Sequence, residues 1–325
     1  MRNKIYILIL FILLLLTGKN GSAQMDSVVK ASWILMDTTL SQEARAKIAL
    51  ELVDKSIIHP DAINSAYAWY LRGLIYKEWY KTFEKHNKKS KTRLDAVVFL
   101  KKALALDTSK GQPIHIKNNI EFNGNVYIIT DVYNVANIKL ALKYIATLFY
   151  NDAGSSLDAT NYSSAIENYE KAKECFLIAE PNYNVKIREV EFKLALATVY
   201  EKVFRSDIKA NSQFFGMTED LYKQVIVLDT NNWAGNYNFA MLYYNYGVDL
   251  INDMDVTSDI VSVDKITEQT RELFKKALPY ALKAYALNPK RRDVIVCLQG
   301  IYYSLYEFEK SDEFKAKVEL IDKEK

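Results

Sequence analysis

Glycine and proline are scarce in this chain, with 10 and 5 among 325 residues. Average usage is about 7% and 5%, so the turns on which all-β folds depend are largely missing. Cysteine is rarer still, with only Cys175 and Cys297, which excludes a disulfide-rich scaffold. The two lie far apart along the chain and read as buried free thiols, with a disulfide between them as the alternative. The three histidines, His59, His86 and His115, have no partners at metal-ligand spacing. No apolar run approaches the roughly 20 residues of a spanning helix; Ile5–Leu16 holds 12. Hydrolase elbows, phosphate-binding glycine loops and His-Glu-x-x-His zinc motifs are all missing. The acidic pairs that do occur, such as Glu167 with Glu170 and Glu189 with Glu191, read as solvated helix faces. No catalytic residue, metal or cofactor is expected.

What remains is a helix-forming composition, half hydrophobic and rich in tyrosine, with 23 of them. Residues 1–23 stand apart. Arg2 and Lys4 precede the Ile5–Leu16 run, and Gly21-Ser22-Ala23 supplies small residues for cleavage. That is the form of a secretory signal peptide; the alternative is an uncleaved anchor. An exported protein, periplasmic or secreted, is expected. Removing residues 1–23 leaves 40 basic against 40 acidic residues. A neutral chain lacks the basic face that nucleic acid requires, so no nucleic-acid partner is expected.

Residues 24–60 predict a helical hairpin. Val28, Val29, Trp33, Ile34 and Leu35 recur at helical spacing, as do Ile48, Ala49, Leu52, Val53 and Ile57, before Pro60. Beyond it, residues 61–325 repeat one pattern about five times. A first helix carries a small residue with an aromatic three positions on: Gly73 with Tyr76, Ala197 with Tyr200, Ala240 with Tyr243, Gly300 with Tyr303. Ala153 holds the small position of the second unit, after Phe149. Second helices follow, with Ala96, Leu100, Ala103 and Leu104, then Tyr162, Ala165, Tyr169 and Ala172, then Tyr222 and Val225, then Tyr280, Ala284 and Tyr285. The last, polar second helix reads as a cap.

This pattern resembles the tetratricopeptide repeat, with Trp69, Gly73 and Tyr76 matching its first helix and Arg72 replacing the usual Leu. The repeats are also similar in wording to exported bacterial members of the Bacteroidetes type. The resemblance implies an all-α fold, a right-handed α-solenoid of helical hairpins. The family period is about 34 residues, and the surplus here falls mostly at 77–95, 201–217 and 244–275. These inserts should extend helices or project as loops. At 109–136, Asn123-Gly124 separates two β-prone runs. That spacing signals a hairpin; an early start of the next helix is the alternative.

The resemblance also implies function: a non-catalytic scaffold whose concave face, built from first helices, holds a protein or peptide. Tyr70, Tyr150 and Tyr237 each precede a small residue by three, and Leu194 holds the matching place in its unit. With Leu74 and Met241 they form the expected groove set; inter-repeat packing is the competing reading. Family members that clamp a terminal carboxylate present Lys and Asn at such places, and none stands here. A cell-envelope protein binding glycans or nutrients is the alternative class, since tyrosine faces also stack on sugars. Separately, Lys81, Lys85, Lys88, Lys89, Lys91 and Arg93 form a basic insert suited to lipid headgroups or an acidic partner, or else a plain soluble loop. Peripheral envelope association would follow from the first. Asp253, Asp255, Thr257 and Asp259 weakly echo a calcium loop, but Ser258 and Asp264 stand where Gly and Glu are needed.

Overall fold

Capping chemistry sets many helix starts. Ser41, Ser65, Ser90, Asn232 and Asp259 each accept a hydrogen bond from the backbone N–H three residues on, as N-caps do. The computed structural model describes residues 23–88, 90–122, 125–254 and 259–323. The expected signal peptide lies outside these, except for Ala23. Among the described residues the fold is all-α, of the α-solenoid class, with one β-hairpin. The described residues divide into two compact units, the first running to Ala153 and including Glu167–Tyr183, the second holding Gly154–Ile166 and Asn184 onward.

In the first unit, α1 (Ala23–Met36) pairs with α2 (Gln42–Ser56), followed by the short α3 (Pro60–Ile63). Next comes α4 (Ala66–Trp79), which continues through a π-helical turn, Tyr80–Glu84, and packs against α5 (Lys91–Leu106). Two strands, β1 (Ile114–Phe122) and β2 (Asn125–Tyr133), form an antiparallel hairpin in which Ile114 faces Tyr133 and Phe122 faces Asn125. That register decides between the two readings of 109–136 in favour of the hairpin; Asn123-Gly124 itself lies outside the described residues. α6 (Val135–Ser155) follows. α7 (Tyr162–Ala179) begins in the second unit and continues in the first. It stops two residues before Pro181.

In the second unit, α8 (Lys186–Ser206), α9 (Gln213–Leu228), α10 (Trp233–Asn252), α11 (Ile260–Leu287), α12 (Arg292–Ser304) and α13 (Phe308–Lys323) each pack against the next. The inserts mostly lengthen helices: α8 reaches Ser206, α10 reaches Asn252, and α11 runs from Ile260.

The small residues lie where helices approach. A Cβ on Gly73 would stand 2.7 Å from Leu100 Cγ of α5. Ala153, Ala197 and Ala240 are fully buried. Each unit has its own apolar core. One is built around Leu100, Ile138, Leu142, Ile145 and Phe149, the other around Phe239, Ala240, Ala277, Leu298 and Ile301.

Candidate functional site

Tyr70 requires correction. Its side chain is 8% exposed. Its ring meets Tyr133 of β2 edge-on at 5.5 Å, and Tyr67 meets the same ring at 6.5 Å. Tyr67 also donates its hydroxyl hydrogen bond to Asp131. These contacts fasten the hairpin to α4, so Tyr70 anchors structure rather than lining a groove. Burial raises the pKa of the phenols Tyr67, Tyr70 and Tyr133, and Asp131 adds to the effect at Tyr67. Leu74 and Tyr150 are half-buried against the first unit's core, and Tyr150 packs 6.4 Å from Tyr169.

Leu194, Tyr237 and Met241 are half-buried against the second unit's core. Tyr237 is the best developed of them. One helical turn separates it from Trp233 on α10, so their rings stack at 5.1 Å and 11°. The Arg291 guanidinium covers the Trp233 ring at 3.9 Å and pairs with Asp293 at 2.8 Å. The result is a layered cation–indole–phenol platform with both apolar faces and hydrogen-bonding groups. The i, i+4 spacing of Trp233 and Tyr237 was legible in the sequence. Arg291 joins from the turn before α12, and nothing local announced it.

The basic insert needs one change. Arg93 does not belong to its surface. It is 1% exposed, pairs with Asp152 at 2.6 Å, and lies over Phe149 at 4.2 Å and Tyr80 at 5.1 Å. Its other nitrogen donates to the Lys88 carbonyl at 2.8 Å. Lys89 lies outside the described residues. Lys81, Lys85, Lys88 and Lys91 are exposed.

Other reactive groups are quiet. Cys175 and Cys297 are buried and free, and burial pushes both thiols up to about 12. Burial also raises the pKa of Glu201, against hydrogen bonds from Asn245 and Tyr222 and the nearby Arg205 charge that lower it. Arg205 engages Asp249 through two hydrogen bonds of 3.0 and 3.1 Å. That pair lines an open depression of about 450 Å³ with Asp207, Lys209 and Asn252. Among the described residues no group of three His, Cys, Asp or Glu is placed to hold a metal ion. Of the weak calcium-loop echo, residues 255–258 lie outside the described residues, and Asp259 caps α11. No described helix is long and apolar enough to cross a membrane.

The chain matches no family model, and no curated protein matches it. Among solved structures it is similar to the TPR2AB-domain:pHSP90 complex of yeast Sti1, at 13% identity over 94% of this chain and 93% of that one, TM-score 0.27. It is also similar to the S. pombe nuclear import adaptor Nro1, at 10% identity over 93% and 94%, TM-score 0.32. A third is the human IFIT1 dimer with m7Gppp-AAAA, at 10% identity over 94% and 74%, TM-score 0.28.

Proposed function

We propose that this chain is an exported, non-catalytic helical scaffold that binds a protein or peptide. The observation that carries the reading is the Arg291–Trp233–Tyr237 platform, whose two rings stand on the first helix of a repeat unit, with Leu194 and Met241 on first helices of the same unit of structure. Half-buried aromatic rings beside an arginine are what binding hot spots are made of, because they offer large area with few rotamers to freeze. A peptide would lay an apolar side chain against Tyr237 and the edge of Trp233 and place a carboxylate or carbonyl near Arg291. The raised thiol pKa values support the non-catalytic reading, since a thiol held protonated is a poor nucleophile.

The test is selection from a random peptide library on the immobilised chain, followed by titration against Trp233→Ala, Tyr237→Ala and Arg291→Gln. Each should weaken the selected peptides by about tenfold or more. Equal binding by all three folded variants would refute the platform. A glycan-binding reading has its own support in Tyr303, Tyr306 and Phe308, exposed rings grouped within 5.5 to 6.1 Å at the turn between α12 and α13. A glycan array with signal abolished by Tyr306→Ala would favour it over the peptide.

A further inference from the structure

The turn joining α4 to α5 combines charge, an exposed ring and an unusually firm internal frame. Residues 77–95 hold seven Lys and Arg against three Asp and Glu. Two of these charges are turned inward. Glu84 accepts hydrogen bonds from Trp79 Nε1 at 3.0 Å, Ser90 Oγ at 2.6 Å and Thr92 Oγ1 at 3.1 Å. Arg93 is buried against Asp152 and holds the Lys88 carbonyl, while Tyr80 donates to the Lys85 carbonyl at 3.2 Å. The turn is therefore tied to the body of the hairpin at Glu84, Lys85 and Lys88.

What it presents outward is cationic and aromatic. Lys81, Lys85, His86, Lys88 and Lys91 are exposed, and Phe83 stands among them, 41% exposed and backed by Trp79 at 4.7 Å. The π-helical turn carries this ring; such turns commonly mark functional sites. Glu78 lies beside Lys81 in an exposed pair, which salt screens readily, and the exposed Lys91 pairs with the half-buried Asp95.

We propose that this turn docks on an anionic lipid surface, with Lys81, Lys85, Lys88 and Lys91 facing the phosphate layer and Phe83 seated at headgroup depth. Charge complementarity selects the occupant: a basic cluster meets the negative surface potential of anionic lipid. The exposed ring selects lipid over a purely polar polyanion, because an aromatic side chain gains by leaving water at the bilayer interface. The geometry agrees. The cluster sits on one short turn at the end of a hairpin, which suits a plane, whereas a strand of nucleic acid is tracked by an extended groove.

The experiment is co-sedimentation of the full chain with vesicles of phosphatidylcholine alone, and of phosphatidylcholine mixed equally with phosphatidylglycerol. Arg2, Lys4 and the apolar run at residues 5–16 are common to the wild type and every variant, so the turn's share of the difference between the two vesicles is read by comparing them. The quadruple variant Lys81→Gln, Lys85→Gln, Lys88→Gln and Lys91→Gln is expected to lose that share, at about fivefold per lysine. Phe83→Ser is expected to lower it by about fivefold to tenfold without changing its salt dependence. Circular dichroism verifies folding, which exposed substitutions leave intact. Equal wild-type binding to both vesicles, or an unchanged difference in the quadruple variant, overturns the proposal. So does tighter capture by polyglutamate or an oligonucleotide with Phe83→Ser silent, an outcome that assigns the turn to an acidic macromolecule instead.

Discussion

Replacing Arg93 by methionine tests how the first unit is held together. The guanidinium is 1% exposed and makes three hydrogen bonds: to Asp152 at 2.6 Å, to the Lys88 carbonyl at 2.8 Å and to the Tyr80 hydroxyl at 3.3 Å. Hydrogen bonds to a charged group contribute about 1.5–3 kcal/mol each. Packing over Phe149 adds about 1 kcal/mol. Methionine keeps most of the volume but takes the guanidinium away from Asp152, and breaking one partner of a buried pair costs about 3–5 kcal/mol. Asp152 is 19% exposed in its side chain, so water recovers part of that loss. The expected destabilisation is therefore about 3 kcal/mol, near the low end. Arg93→Lys keeps the charge but cannot serve Asp152 and the Lys88 carbonyl together, and should cost about 1–2 kcal/mol. Urea unfolding followed by tryptophan emission suits the measurement, because Trp33, Trp69 and Trp79, three of the four tryptophans, lie in this unit. The double variant Arg93→Met with Asp152→Leu removes both charges and should recover about 1–2 kcal/mol relative to Arg93→Met alone. A loss below about 1 kcal/mol in Arg93→Met, or no recovery in the double variant, refutes the reasoning.

Gly73→Ala should destabilise by about 1–2 kcal/mol despite the better helix former, because the new Cβ would meet Leu100 Cγ at 2.7 Å and its backbone nitrogen at 3.2 Å. A melting temperature at or above wild type would show that α4 and α5 can part freely. Burial raises the pKa of Glu201, so the folded state binds its proton more tightly than the unfolded one. Stability from this group is present below the unfolded value of 4.5 and is lost as pH rises through the folded one. Glu201→Gln should therefore gain relative stability at neutral pH and none at pH values below that window; thermal melts across pH that run parallel to wild type would contradict this. Cys175 and Cys297, both raised to about 12, should resist a thiol reagent at neutral pH in the folded chain and react together on unfolding. Rapid labelling of either native thiol would show that its unit opens locally.

The sequence by itself determined the succession of helix pairs. Helical spacing, caps such as Ser65 and Asn232, and small residues such as Gly73 and Ala240 act within a few turns of chain, so they are readable in order. It also supplied the Asn-Gly signal of the hairpin, though helical neighbours left two readings open. Only the tertiary structure decided what the conspicuous side chains do. Tyr70 has the spacing of a groove residue, yet Tyr133 arrives from β2 and covers it. Arg93 has the company of a surface lysine cluster, yet Asp152, 59 residues further on, draws it inside. Arg291 reaches Trp233 from the turn before another helix. Periodicity states which face of a helix is turned inward. Which distant group then meets it depends on how the pairs pack, and no local window of residues carries that information.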